Sequence, residues 1–82
     1  MTFGMYQDGI LQVDLPEHGL CAGDVGTVVE QHVVPGREVG YSVEFFDMTG
    51  NTVAVITVPA GHLRAPTPAD RPSVRMLSQA LR

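Results

Sequence analysis

The sequence predicts a mainly β domain: a small SH3-like barrel of about five antiparallel strands with a short C-terminal helix. Three observations predict it. Turn-forming residues cut residues 1–65 into pieces of six to eight residues with strand-like composition. Their order, with a long first loop, a tight hairpin and a helical turn before the last strand, is that of an SH3-like barrel. An OB-like or other small β-roll is the alternative. Finally, 82 residues make one domain, and closure into a barrel hides sheet edges in so short a chain.

The first strand is expected over Ile10–Leu15, with Leu11, Val13 and Leu15 on one side and Ile10, Gln12 and Asp14 on the other. PEHGLCAGD, with Pro16, Gly19 and Gly23, reads as a loop. Val25–His32 (VGTVVEQH) is rich in β-branched residues and reads as the second strand. After the loop VVPGREVG, Tyr41–Asp47 alternates: Tyr41, Val43 and Phe45 face the core, whereas Ser42, Glu44 and Phe46 face away. MTGN, Met48–Asn51, makes a tight hairpin. Thr52–Val58 (TVAVITV) is uncharged and apolar on both faces, so it is expected at the centre of the sheet or beneath the tail. PAGHL suggests one helical turn before Leu63–Ala65 runs extended.

Residues 1–65 thus form the barrel, and residues 66–72, with three prolines, form a stiff, extended linker. Residues 73–82 have Val74, Leu77 and Leu81 at i, i+3 and i+7, which predicts a short amphipathic helix. At about ten residues it is marginal alone and must dock on its own barrel or on another chain.

Composition narrows the function classes. Apolar residues make up 44% of the chain and charged residues 17%, which suffices for a core and argues against disorder. Lysine is absent, so all five basic residues are arginines. Residues 1–70 carry nine acids against Arg37 and Arg64, a net of −7, whereas residues 71–82 carry Arg71, Arg75 and Arg82 and no acid. That balance opposes nucleic-acid binding and suits a basic protein partner. Cys21 is the only cysteine, which rules out an intramolecular disulfide. The N-terminal residues lack the pattern of a signal peptide, and no segment is long and apolar enough for a membrane span. A cytoplasmic location is expected.

Two stretches, VDLPEHGLCAGDVGTVVE and YSVEFFDMTGNTVAVITVPAGHLR, resemble the bacterial family catalogued as domain of unknown function 4926. The shared pattern is V-D-L-P-E-x-G-L-x-x-G-D-x-G-T-V-V-E, then E-F-x-D-x-x-G, then a strand ending before L-R. It covers residues 10–65. The resemblance implies a cytoplasmic protein of SH3-like fold and carries no catalytic residues. The proline-rich tail departs from the family's short form.

Several residues invite a chemical reading. Gly23-Asp24-Val25-Gly26-Thr27 lacks the lysine and the following helix of a phosphate loop. Its glycines are better explained by a turn and by close approach of a neighbouring strand. His18 and Cys21 have H-x-x-C spacing, with His32 and His62 elsewhere, but they do not form paired clusters, so no metal or cofactor is expected. No orienting group marks a Cys–His nucleophile. Asp14 with Glu17, and Glu44 with Asp47, read as solvated carboxylates rather than acid–base pairs.

No enzyme is therefore expected. The expected function is a protein-interaction module, in one form an antitoxin- or immunity-type partner of a basic protein. An accessory or assembly subunit of a larger enzyme is the alternative, and a KOW-like nucleic-acid-binding barrel is a third that the acidity disfavours. The candidate contact residues are Glu17, His18 and Leu20 in the first loop, Phe46 on the outer sheet face, and Leu77 and Leu81 on the terminal helix. Self-association through Thr52–Val58 is a further expectation.

Overall fold

The structure is a computed structural model that describes residues 2–77. Five strands, β1 (Asp8–Leu11), β2 (Val25–His32), β3 (Gly40–Phe46), β4 (Thr52–Pro59) and β5 (Leu63–Arg64), form one antiparallel sheet in the order β4-β3-β2-β1-β5. Consecutive strands pair from β1 to β4, and β5 then returns to the far side of β1. One-turn 3-10 segments at Pro16–His18 and Ala60–His62 are the only helical pieces among the described residues.

The sheet curls around a single core. Leu11 of β1, Val28 of β2, Tyr41, Val43 and Phe45 of β3, Ile56 and Val58 of β4 and Leu63 of β5 all belong to one buried cluster. Register shifts, which bend a strand and increase its twist, lie between Val28 and Glu30 of β2 and between Phe45 and Phe46 of β3. Phe3 joins from before the first strand, its ring edge-on to Tyr41 with centroids 5.3 Å apart. The bounds of β2 and the core face of β3 are as expected, and so is the turn at Ala60–His62.

Four expectations fail. The first strand is Asp8–Leu11 and not Ile10–Leu15. Beyond Leu11 only one further rung forms, from the Gln12 amide to the His62 carbonyl, and the Gln12 side chain donates to the Gly61 and Leu63 carbonyls. β4 lies at the edge of the sheet, not its centre, because β5 pairs with β1 and leaves the outer side of β4 without a strand among the described residues. Its Val53 and Val55 are exposed.

The linker is not extended. Asp70 folds it into a turn by accepting from the Thr67 amide at 2.7 Å and hydroxyl at 3.1 Å, and the Arg64 guanidinium clamps the same carboxylate from β5. Nor do residues 73–77 form the predicted helix; Arg71–Leu77 is irregular. Val74 and Leu77 find no apolar face to cover, and Arg75 is held by the first loop instead. The rest of the predicted helix, Leu81 included, lies outside the described residues.

The tail crosses the outer side of β1. Ile10 is buried although it lies outside the core cluster, and it lines a groove of about 610 Å³ with Val25 and with Arg64, Pro66, Pro72 and Ser73 of the following chain.

Candidate functional site

The first loop is built by short-range bonds. Leu15 and Leu20 form an isolated bridge around the Pro16–His18 turn, and Gly19 ends that turn at φ 70°, a conformation that suits glycine. The Asp14 carboxylate accepts from the Ala22 amide at 2.9 Å. Asp24 accepts from the Cys21 amide at 3.0 Å, and the Cys21 thiol lies 3.9 Å from its other oxygen. Two residues on, Gly26 sits where a Cβ would meet Val43 Cγ1 at 2.5 Å and the Glu44 carbonyl at 3.0 Å, so its role is close packing of β2 on β3.

Across this loop lies the tail. Arg75 donates from Nε to Asp24 Oδ1 at 3.0 Å and from Nη2 to Asp24 Oδ2 at 2.6 Å, a two-pronged pair. The same Nη2 reaches the Gly19 carbonyl at 3.0 Å. Partial burial raises the pKa of Asp24, but Arg75 and the Cys21 amide outweigh it and hold the carboxyl below its ordinary value. Arg75 is correspondingly held in its charged form. At the other end of the tail, the Arg64 guanidinium, helped by the Thr67 amide, holds Asp70 well below the usual carboxylate range.

The anticipated contact residues are scattered. Glu17 and His18 are exposed on the first loop, beside Gly19. Leu20 is only 6% exposed and belongs to the core cluster, so it is a packing residue and not a contact residue. Phe46 is exposed on the outer face as expected, and no helix among the described residues covers it. Leu77 is half exposed, with one methyl facing Gly19.

The residues weighed as metal ligands part company. Cys21 is bonded to Asp24, His32 stands on the outer sheet face, and His62 belongs to the turn before β5. No group of three or more His, Cys, Asp or Glu is placed to hold a metal ion among the described residues. Glu44 bonds the Thr52 hydroxyl at 2.5 Å, and Asp47 closes the hairpin by accepting from Thr49 and Asn51.

Two features escape a reading of the sequence. Neither half of the Asp24–Arg75 pair carries a local signature, since the partners are 51 residues apart. The second is a polar chain on the outer sheet face, in which His32 Nε2 lies 2.8 Å from Ser42 Oγ and Ser42 Oγ lies 2.9 Å from Thr57 Oγ1. Ser42 and Thr57 are direct cross-strand partners, so only the register reveals them.

No curated protein and no solved structure matches the chain significantly. The model of one family matches residues 9–65, more than half of the chain and nearly all of the five-stranded sheet, and the chain belongs to that family, described as domain of unknown function (DUF4926).

Proposed function

We propose that the domain is a non-catalytic protein-interaction module, an SH3-like barrel of the cytoplasm whose partner is a basic protein. An antitoxin- or immunity-type role is one form of this. The observation that carries the reading is unbalanced charge. Two of the arginines, Arg64 and Arg75, are each spent on a single carboxylate, Asp70 and Asp24. Asp8, Asp14, Glu17, Glu38, Glu44 and Asp47 have no cationic partner among the described residues, and Glu30 has only His32 at 3.9 Å. Such a field speeds encounter with a positively charged surface and repels a phosphate backbone.

The test is affinity purification with the full chain, followed by measurement of the recovered protein's association at rising salt. A stoichiometric basic partner whose association rate falls steeply with salt supports the reading. Failure to recover one, or a salt-sensitive gel shift with nucleic acid, overturns it.

A second reading has its own observation. β4 is an uncharged edge strand with Val53 and Val55 exposed beside Phe46. A second copy of the strand would meet no like charge along it, so self-association through paired β4 edges is the corresponding proposal.

A further inference from the structure

We infer that Asp24 and the Gly19 carbonyl form a receptor for an arginine side chain of the partner protein, and that the chain's own Arg75 occupies it in the free state. The inference rests on the reading of the domain as a module for a basic partner, and adds where and by what chemistry that partner is held.

Three observations carry it. The acceptor side is built independently of Arg75, because the Cys21 amide orients the Asp24 carboxylate and the turn at Gly19 presents its carbonyl. A two-oxygen carboxylate beside a third oxygen, the Gly19 carbonyl, fits the planar fork of a guanidinium, which a lysine ammonium cannot match. All three contacts of this kind are made, at 2.6, 3.0 and 3.0 Å.

The occupant is also separable from the fold. Every residue of the core cluster lies between Phe3 and Leu63, and Val74 and Leu77 remain largely exposed in the docked tail. A hollow of about 160 Å³ lined by Cys21, Ala22, Gly23, Asp24, Ser73 and Arg75 lies between tail and loop, crossed by the three Arg75 hydrogen bonds, with a Leu77 methyl facing Gly19. Nearer the sheet, the Arg64–Asp70 clamp holds the start of the tail in place when Arg75 lets go.

Finally, receptor and occupant fall on opposite sides of the family boundary. Gly19, Cys21 and Asp24 lie inside the matched residues 9–65, whereas Arg75 lies beyond them. The matched domain therefore contains the receptor without its intramolecular ligand. An arginine from a partner would make the same contacts once Arg75 is displaced, and the tail sets a threshold for that exchange.

The test uses the full chain as wild type, R75A and the double variant D24N/R75A. The probe is a labelled synthetic peptide of residues 66–77, PTPADRPSVRML, followed by fluorescence anisotropy. R75A is expected to bind it about fivefold more tightly than wild type, because the competent state is no longer occupied in cis. The double variant is expected to lose that binding, as is R75A offered a peptide with Arg75→Ala. Equal affinity in wild type and R75A overturns the inference, and so does binding that survives either loss of charge. Should the double variant fail to fold, the two peptides against R75A still decide the question. Peptide binding without any basic partner removes the proposed function and leaves the receptor. A basic partner that binds D24N as well as wild type removes the receptor and leaves the proposed function.

Discussion

Tyr41 carries its hydroxyl into the core and there accepts a hydrogen bond from the Phe3 amide at 3.0 Å, 38 residues earlier in the chain. The two rings also meet edge to face, 77° apart, an arrangement favoured by their quadrupoles. The segment before β1 is thereby fastened to β3 by one polar and one aromatic contact. Tyr41→Phe keeps the ring and leaves the buried amide without its acceptor. The expected loss is about 1–3 kcal/mol, read as a lower urea midpoint at unchanged slope.

Gly26 and Gly40 both lie in strands but tolerate a methyl group very differently. A Cβ on Gly26 would collide with Val43 and the Glu44 backbone, whereas one on Gly40 would come no nearer than 3.7 Å to Thr57 and the Val58 carbonyl. Gly26→Ala is expected to cost about 1–3 kcal/mol through overpacking. Gly40→Ala is expected to be neutral or to stabilise by up to about 1 kcal/mol, since alanine restricts the unfolded chain. Paired thermal melts of the two variants decide it, and equal costs would refute the packing role of Gly26.

Acid is expected to loosen the tail and the hairpin, which neutral pH leaves fully stabilised. Asp70 is lowered chiefly by Arg64. Asp47 is lowered chiefly by the Asn51 amide. For Asp24, burial opposes the bonds from Arg75 and Cys21 but does not overcome them. A folded-state pKa below the unfolded value of 3.8 means that folding favours the ionised form. The stabilisation is complete above that value and is lost as pH falls through the folded one. The melting temperature should therefore hold steady from this source between about pH 7 and 5 and fall below about pH 4. D70N and D24N should each lower it at neutral pH and flatten the acid slope. A slope unchanged in both variants would assign the acid sensitivity to other carboxylates.

Val55→Lys tests the open edge. Val55 is 57% exposed on the outer face of β4, so the change should alter stability by no more than about 0.5 kcal/mol. It places a charge of the kind that discourages strand-to-strand pairing. Sedimentation of the wild type should show concentration-dependent association, which the variant abolishes. A wild type that stays monomeric at high concentration removes the second reading.

What the sequence reveals follows from the range of the forces involved. Val25–His32 is legible because a run of β-branched residues suits a strand whatever surrounds it. The inward set Tyr41, Val43 and Phe45 is legible because alternation alone assigns the faces of β3. The first strand is shifted because apolar alternation continues through Val13 and Leu15 after the chain has left the sheet, and those residues pack beside the core from a loop. The tail misleads for a related reason. Val74, Leu77 and Leu81 have helical spacing in the sequence, but among the described residues Val74 and Leu77 find no complementary surface, and one ion pair across 51 residues sets the path of the tail. The site was half legible: Glu17, His18 and Phe46 are exposed as anticipated, whereas burial of Leu20 follows from its bridge to Leu15. Cross-strand groups such as His32, Ser42 and Thr57 become visible only once the register is known.

Ile10 has a wider consequence. Its side chain belongs to the sheet by sequence, yet it is sheltered by residues that follow the last strand. The inherited unit, residues 9–65, is thus smaller than the unit that folds into a finished surface. A chain cut after Ala65 would keep its core intact and would turn Ile10 toward water beside the already half-exposed Val25, as a wider adhesive stripe.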